Sequence, residues 1–579
     1  MPTVRKAILA GLLVCLFVSF SPRAAAEEPP KLTPVEEAQK AGEEGKTKGD
    51  NAWMLMSTGL VMLMVPGLAL FYAGMVRRKN VLATMMQSMI ALSIVGVYWV
   101  AVGYSLAFGH SHGGIFGWSS KLLFLSGVKP DDVLPNTNIY VYTHMLFQGM
   151  FAIITPALIS GAFAERIRFG PYVLFLLVWV TFIYCPLAHM VWAMNWWDLD
   201  PSGKVAADAG KNLVGLLGRP TDAGGFGALD FAGGTVVHIA AGFSALGGIL
   251  VLRKRVGYPE HAIHPNSMVL CLVGAGLLWF GWFGFNGGSA GASGSLAVSA
   301  FAATQAAAAA GGLSWVLVEW LHRGKPTALG LASGLVAGLV AVTPGSGFVV
   351  VSGGLIIGLI AGAVCYLSVC CKPRFRYDDS LDVFGVHGVG GFLGALLTGF
   401  FCLKYVNPDS GADGLFAGNA AQVFSQLKAA VVSAVLAFAG GFVITKLIDV
   451  TLGFTTTPEA EIEGLDQTEH GEAGFDFGLA AETVSAAPEP RPAKMPPGSK
   501  RFSVIVDGVT NGELLSAWSE MCQPGKAPDA GAFKGVYPFM TTVTGNRFHF
   551  RGGDPETVKT NLQKLFAGTL KKNVSLSVQ

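Results

Sequence analysis

The chain has 579 residues, of which 51% are hydrophobic, 13% charged and 76 are glycines, with a formal net charge of +2. Together with a mean hydropathy of +0.50, this is the composition of a polytopic membrane protein. With 40 Lys and Arg against 38 Asp and Glu, no global basic balance points to a nucleic-acid partner.

Arg5 and Lys6, the apolar run from Ala7 to Phe20 and the small residues Ala24, Ala25 and Ala26 predict a cleaved secretory signal over 1–26, too short to span. The mature chain is expected to begin near Glu27, outside; Val14, not a small residue, argues against a lipoprotein at Cys15. Residues 27–50 form a polar periplasmic lead-in. From 51 to 456, apolar runs recur at the ~20-residue length a bilayer demands. They lie near Trp53–Val76, Val81–Phe108, Tyr140–Phe163, Gly170–Cys185, Phe231–Leu252, Met268–Phe285, Leu296–Trp320, Ala328–Val342, Phe348–Cys370, Val383–Cys402 and Val423–Leu447. Eleven spans are therefore predicted.

The loops RRKN at Arg77, ERIR at Glu165, RKR at Arg253, HRGK at His322 and KPRFR at Lys372 all fall on one side of this arrangement, which the positive-inside rule makes cytoplasmic. The alternate connections, Gly109–Asn138, Trp196–Leu229 and Lys404–Ala420, then face outward. The N-terminus is outside the cytoplasmic membrane and the C-terminus inside.

The fifth run, DFAGGTVVHIAAGFSALGGILVLRKR from Asp230 to Arg255, sets an acid and a histidine in a span-length apolar segment. Ionisable groups at that depth are costly, roughly 2.5 to 3.5 kcal/mol for Asp on insertion scales, and mark function by default. At helical spacing His238 would lie about 12 Å deeper than Asp230. The tenth run repeats the order as DVFGVHGVGG, with Asp382 ahead of His387. Matching placement predicts two inverted halves meeting near the bilayer midplane. The fold class is all-α, eleven transmembrane helices in two inverted five-helix halves plus a final helix. The abundant glycine lets helices approach closely in lipid.

After Thr457 comes an acidic tail, EAEIEGLDQTEHGE, then the Pro/Ala-rich AAPEPRPAKMPPGSK, a semi-rigid linker, so that 457–500 read as tail and linker. A soluble module follows over 501–579: strand Phe502–Val506, helix Gly512–Met521, strand Phe539–Val543, a Gly545-Asn546 turn, strand Arg547–Arg551, helix Pro555–Phe566 and strand Val574–Val578. Asp554 and Pro555 suit an N-cap and first turn. βαββαβ is the α+β ferredoxin-like order.

The blocks PGLALFYAGMVRRKNVL, FQGMFAIITPALISGAFAERIRFG, AHMVW, DFAGGTVVHIAAGFSALGG, GWFGFNGGSAG and DVFGVHGVGG together resemble the ammonium transporter family (Amt/MEP/Rh), on the bacterial Amt side, from Asn51 to about Glu472. The resemblance implies a homotrimer in membrane lipid, with ammonium or ammonia as substrate and a pore through each subunit. It places Phe147, Phe151, Trp192 and Ser289 at an outer ammonium-binding site, Phe151 and Phe285 as stacked gate rings, and His238 and His387 as paired pore histidines. Asp230 would buttress the outer site without touching the ion, and Trp282 would line the inner pore. No cofactor is implied and no enzymatic activity. A PII-type signalling protein at the cytoplasmic face is the regulatory partner the resemblance suggests.

The chemistry of these residue types agrees. An aromatic cage holds a cation by roughly 0.5 to 2 kcal/mol, and a serine hydroxyl accepts a hydrogen bond that ammonium, unlike a metal ion, donates. An apolar pore favours the neutral amine, and a pair of imidazoles can take on the released proton. Taken singly, a histidine on a glycine-rich apolar helix or an aromatic in a span is ordinarily a packed residue; the joint pattern turns the reading to function. A His/His/Asp metal site fails because the acids lie too far along their helices. His144, His189, His322 and His549 are assigned to structure or solvent. Cys185, Cys271, Cys365, Cys370, Cys371 and Cys402 are assigned to the core.

Two features depart from the family pattern. The outward segment between Trp192 and Asp230 is long and is expected to cap or reshape the outer vestibule; the module after Arg501 lies beyond the usual tail. Besides a conducting transporter, two readings stand: an ammonium sensor whose membrane part signals through the C-terminal module, and an Rh-like gas channel, which Trp192 and Ser289 disfavour. No phosphate-binding glycine loop or catalytic constellation follows Arg501.

Overall fold

The computed structural model describes residues 33–475, except 201, 203, 261 and 262, and, further on, 501–507, 517, 536, 540–544, 547–551, 554–570 and 575–578. The predicted signal, the Pro/Ala-rich linker, the module's first helix apart from Ala517 and its Gly545-Asn546 turn lie outside the described residues. The chain divides into two compact units, Met1–Phe475 and Asp476–Gln579.

The first unit is a helical membrane domain. Its helices are α1 (Pro34–Met75), α2 (Arg78–Phe108), α3 (Val141–Phe163), α4 (Phe169–Trp192), α5 (Gly234–Ile249), α6 (Met268–Gly288), α7 (Ser295–Arg323), α8 (Ala328–Val342), α9 (Val351–Phe375), α10 (Phe384–Phe401) and α11 (Ala421–Leu452). Among the described residues, nine are long and apolar enough to cross a membrane; α5 and α8 are shorter. Large apolar side chains such as Val97, Val269 and Leu321 stand exposed on their outer surfaces. In water such a surface would aggregate; around a helical bundle it faces lipid. The protein is a multi-pass membrane protein.

Three boundaries differ from the sequence expectation. The polar lead-in is helical from Pro34 onward, continuous with the first span, and starts at a capping box in which Thr33 and Glu36 exchange hydrogen bonds. Helix α4 runs past Cys185 to Trp192, because Val180–Tyr184 forms a wide π-helical turn that absorbs Pro186 at the start of the next segment. Helix α5 begins at Gly234 and not at Phe231, because the carboxylate of Asp230 takes up the first amides and Gly233 turns the chain at φ +108°.

Outside the bundle, the hairpin β1 (His110–His112) and β2 (Phe116–Trp118) meets the long segment after Trp192: Leu216 N donates to Gly114 O at 2.8 Å. Trp196 is buried against His144 and Phe108, with centroids 5.0 and 6.1 Å away.

At the end that carries the basic loops, the arginines are bound into a buried network. Glu165 takes Arg77 at 2.9 Å and Arg255 at 3.1 Å; Asp378 takes Arg166 at 2.6 Å and Arg255 at 2.7 Å. Burial by itself would raise the Asp378 carboxyl, but Arg166 and Arg255 hold it below the ordinary aspartate value. The tail helix α12 (Pro458–Glu463) joins this network, Glu461 taking Arg77 at 3.2 Å and Arg253 at 2.6 Å. Asp466 follows, accepting from Ala83 N at 2.8 Å.

The second unit holds an antiparallel sheet of β3 (Arg501–Asp507), β4 (Met540–Thr544), β5 (Arg547–Arg551) and β6 (Ser575–Val578) in the order β4-β5-β3-β6. Val504, Val506, Phe548 and Phe550 pack against Val558, Leu562, Leu565 and Phe566 of α13 (Pro555–Leu570). Asp554 caps that helix, accepting from Thr557 N at 2.9 Å.

Candidate functional site

Seven of the residues singled out in the sequence form one file of rings through the first unit. Phe147 and Trp192 flank Phe151, with centroids 5.0 and 5.9 Å away and Trp192 edge-on at 88°. Phe151 stacks on Phe285 at 4.1 Å and 25°. His238 follows, 6.1 Å from Phe285 and 5.4 Å from Trp282, nearly parallel to both. His387 closes the file: its Nδ1 lies 3.2 Å from Nδ1 of His238. A cavity of about 10 Å³ is lined by both histidines, Trp282, Phe285, Leu68 and Leu278. That is room for about one water-sized molecule at a time. Among the described residues, nothing hydrogen-bonds to the buried Nε2 of His238.

Each ring is fixed by its own element. Phe147 and Phe151 are one turn apart on α3, so they share a face. Ser289 caps α6 at its C-terminal end and donates its hydroxyl to Phe285 O at 2.8 Å, which leaves the oxygen lone pairs as acceptors. The preceding Gly288 lets the end of α6 approach α3: a Cβ there would come within 2.7 Å of the Phe147 ring. Trp282 donates its indole N–H to Thr343 Oγ1 at 2.9 Å.

Asp230 touches none of these rings with its carboxylate. Oδ1 accepts from Gly233 N at 2.8 Å and Gly234 N at 2.6 Å; Oδ2 accepts from Thr235 N at 2.8 Å and from the Thr235 hydroxyl. The acid caps α5, so its expected place on the helix, about 12 Å along from His238, is corrected: it precedes the helix and satisfies its free amides. Its carbonyl accepts the Trp192 indole N–H at 2.8 Å, which ties that tryptophan to the segment that leads into the helix of His238.

The two histidine helices approach closely. A Cβ on Gly242 would lie 2.1 Å from Gly388 N, and one on Gly391 would lie 2.8 Å from Cβ of His238. Both histidines sit in π-helical turns, Gly234–Ile239 and Phe384–Gly388. Such turns are rare and are frequently found at functional sites.

Comparison with known proteins decides the family. The profile of the Ammonium Transporter Family matches residues 52–475. The chain belongs to the ammonium transporter family. It is 44% identical over 435 residues to the ammonium transporter of Bacillus subtilis (strain 168), covering 74% of this chain and 98% of that one. Among solved structures it is similar to Candida albicans Mep2, with a TM-score of 0.63 and 34% identity over 71% of this chain and 87% of that one. It is also similar to a protein described as a Sensor Amt Protein, with a TM-score of 0.63 and 27% identity over 74% of this chain and 100% of that one. The protein is an ammonium transporter by family. The family match ends at residue 475, where the first unit ends.

Within this family member, one pairing made from sequence is corrected. The counterpart of Asp230 is not Asp382 but Asp379, which precedes His387 by the same eight residues that separate Asp230 from His238. Asp379 Oδ1 accepts from Val383 N at 3.1 Å and Oδ2 from Phe384 N at 2.7 Å. Asp382 sits at φ +61°, a conformation Asp tolerates, and pairs with Lys372. The sequence reading also missed Gln426, whose amide accepts from Leu229 N at 2.6 Å and donates to Leu229 O at 2.8 Å, holding the segment that delivers Asp230. His144, His189 and His322 are engaged elsewhere, with Tyr104 at 3.0 Å, Ala107 O at 2.9 Å and Tyr366 at 2.6 Å. Cys185, Cys271, Cys365 and Cys402 are buried and Cys370 is half-buried; Cys371 stands exposed at the end of α9, a correction to its assignment to the core.

Proposed function

We propose that this ammonium transporter recruits ammonium at an outer site of Phe147, Phe151, Trp192 and Ser289, deprotonates it there and conducts it through an apolar pore. Phe151 and Phe285 are the gate, His238 and His387 carry the pore, Trp282 lines its inner part, and Asp230 supports the outer site through the indole of Trp192. The observation that carries this reading is the ring file that ends in a direct histidine–histidine contact. Aromatic faces and a hydroxyl acceptor suit a cation that is also a hydrogen-bond donor, and the narrow apolar section beyond them disfavours charge. Methylammonium uptake into proteoliposomes under excess potassium tests it: potassium carried as readily as ammonium would contradict it.

In this reading α5 and α8 also cross, giving eleven spans in two inverted five-helix halves plus α11. The caps of Asp230 and Asp379 at equal distance from their histidines support the inversion. The protein is placed in the cytoplasmic membrane as a homotrimer, N-terminus outside, C-terminus inside, with residues 1–26 removed as a signal. The second unit is read as ferredoxin-like, which its strand order supports, and as a cytoplasmic regulatory domain standing beside, or in place of, a PII-type partner. A second reading, an ammonium sensor signalling through that unit, is favoured by the likeness to the Sensor Amt Protein. Ammonium flux at transporter rates argues for the first.

A further inference from the structure

The caps of the two histidine helices are built alike but satisfied unequally. Asp230 holds three amides at 2.6 to 2.8 Å and the Thr235 hydroxyl. Asp379, wholly buried, holds, among the described residues, Val383 N and Phe384 N. The groups that face it are Lys372 at the end of α9, Asp382 and Tyr377 beside it in the loop, Arg166 from the loop after α3, and Tyr72 of α1. Lys372 spends its ammonium on the Asp379 carbonyl, at 2.8 Å, and on the Asp382 carboxylate. The Asp379 carboxylate is thus closed off from water, attracted by Lys372 and repelled by Asp382.

We propose that Asp379 is a positioning residue for His387: ionised, it fixes the π-helical turn Phe384–Gly388 and so aims the imidazole at His238; neutral, it holds those amides weakly and the turn relaxes. The inference rests on His387 lining the conducted path. Burial pushes the carboxyl up to about 6 against the pull of Lys372, so the switch falls within a range a cell meets. Acidifying the face that bears the basic loops then lowers conduction, although ammonium stays protonated throughout, amines titrating near ~10.

The test is ammonium flux from pH 5 to 7.5 in proteoliposomes of the full chain. Wild type is expected to lose flux with a midpoint near 6. Lys372→Met should move the midpoint up and Asp382→Asn down, each by roughly one unit. Asp379→Asn should carry several-fold less ammonium at pH 7.5, with a flat profile that adding Lys372→Met no longer shifts, while melting no lower than wild type. A wild type that carries no ammonium overturns the function proposed above. A wild type that conducts, with Asp379→Asn keeping the same rate and midpoint, overturns the role of Asp379 alone. So does an Asp379→Asn variant whose lost flux matches lost folded protein, or one whose midpoint still answers to Lys372→Met.

Discussion

Nδ1 of His238 and Nδ1 of His387 lie 3.2 Å apart, with the two rings inclined by only 24°. A hydrogen bond at that distance has one proton between two nitrogens, so one imidazole donates and the other accepts. In the neutral pair the donor ring then keeps its Nε2 as an acceptor and the acceptor ring carries its proton on Nε2. The pair thus offers one acceptor and one donor nitrogen, which is what handing a proton along a file requires.

Trp192 stands edge-on to Phe151 and is held by the Asp230 carbonyl. Trp192→Leu removes a cation–π partner worth about 0.5 to 2 kcal/mol. The half-saturation concentration for methylammonium should rise roughly 2- to 30-fold, with the maximal rate largely kept. An unchanged half-saturation would remove Trp192 from the outer site.

Asp230→Ala strips the buried acceptor from four amides and a hydroxyl. The loss should be at least ~2 kcal/mol, because buried donors are left without partners. Asp230→Asn, which keeps one oxygen, should lose less. Thermal melting in detergent decides, and an Ala variant as stable as wild type would contradict the capping role.

Much of this site was legible in the sequence and some of it was not. The rings and both histidines could be placed because each lies in a distinctive block and at or beside an apolar run of the sequence. Asp379 was missed because the nearer acid, Asp382, fitted an acid–histidine–glycine order. Equal spacing of eight residues was the signal that would have found it, since a cap must stand ahead of the amides it serves. The far end of α4 was missed because Pro186 reads as a helix stop, and only the π-helical turn before it makes room. The loop arginines read as markers of orientation; their partners Glu165, Asp378 and Glu461 come from distant segments, which no local pattern reveals.

Stability should report the ionisation of Asp379. An aspartate ordinarily titrates near 3.8 and this one near 6 through burial, a difference of roughly 3 kcal/mol. Because the folded value is raised, the folded state binds the proton more tightly. Wild type therefore loses stability as pH rises from 3.8 through 6. Asp379→Asn escapes that cost and gives up one acceptor oxygen, so it should gain as much as ~2 kcal/mol at pH 7.5. The gain should fade as pH falls below 6. A gain that does not depend on pH would contradict the titration.

Removing the residues after Lys500 should leave the membrane unit folded and change how uptake responds to nitrogen supply, if the second unit regulates the pore. Uptake by cells grown with scarce or abundant ammonium measures this. Unchanged rates and an unchanged response would make the second unit an appendage.

The most direct test of the account is ammonium flux through the purified protein in proteoliposomes, wild type against His238→Ala with His387→Ala. The account predicts that the double variant keeps its oligomeric state on a sizing column, while its ammonium flux falls at least ~10-fold or its discrimination against potassium is lost, as expected when groups acting on a transferred proton are removed. A double variant that keeps wild-type rate and selectivity would contradict it.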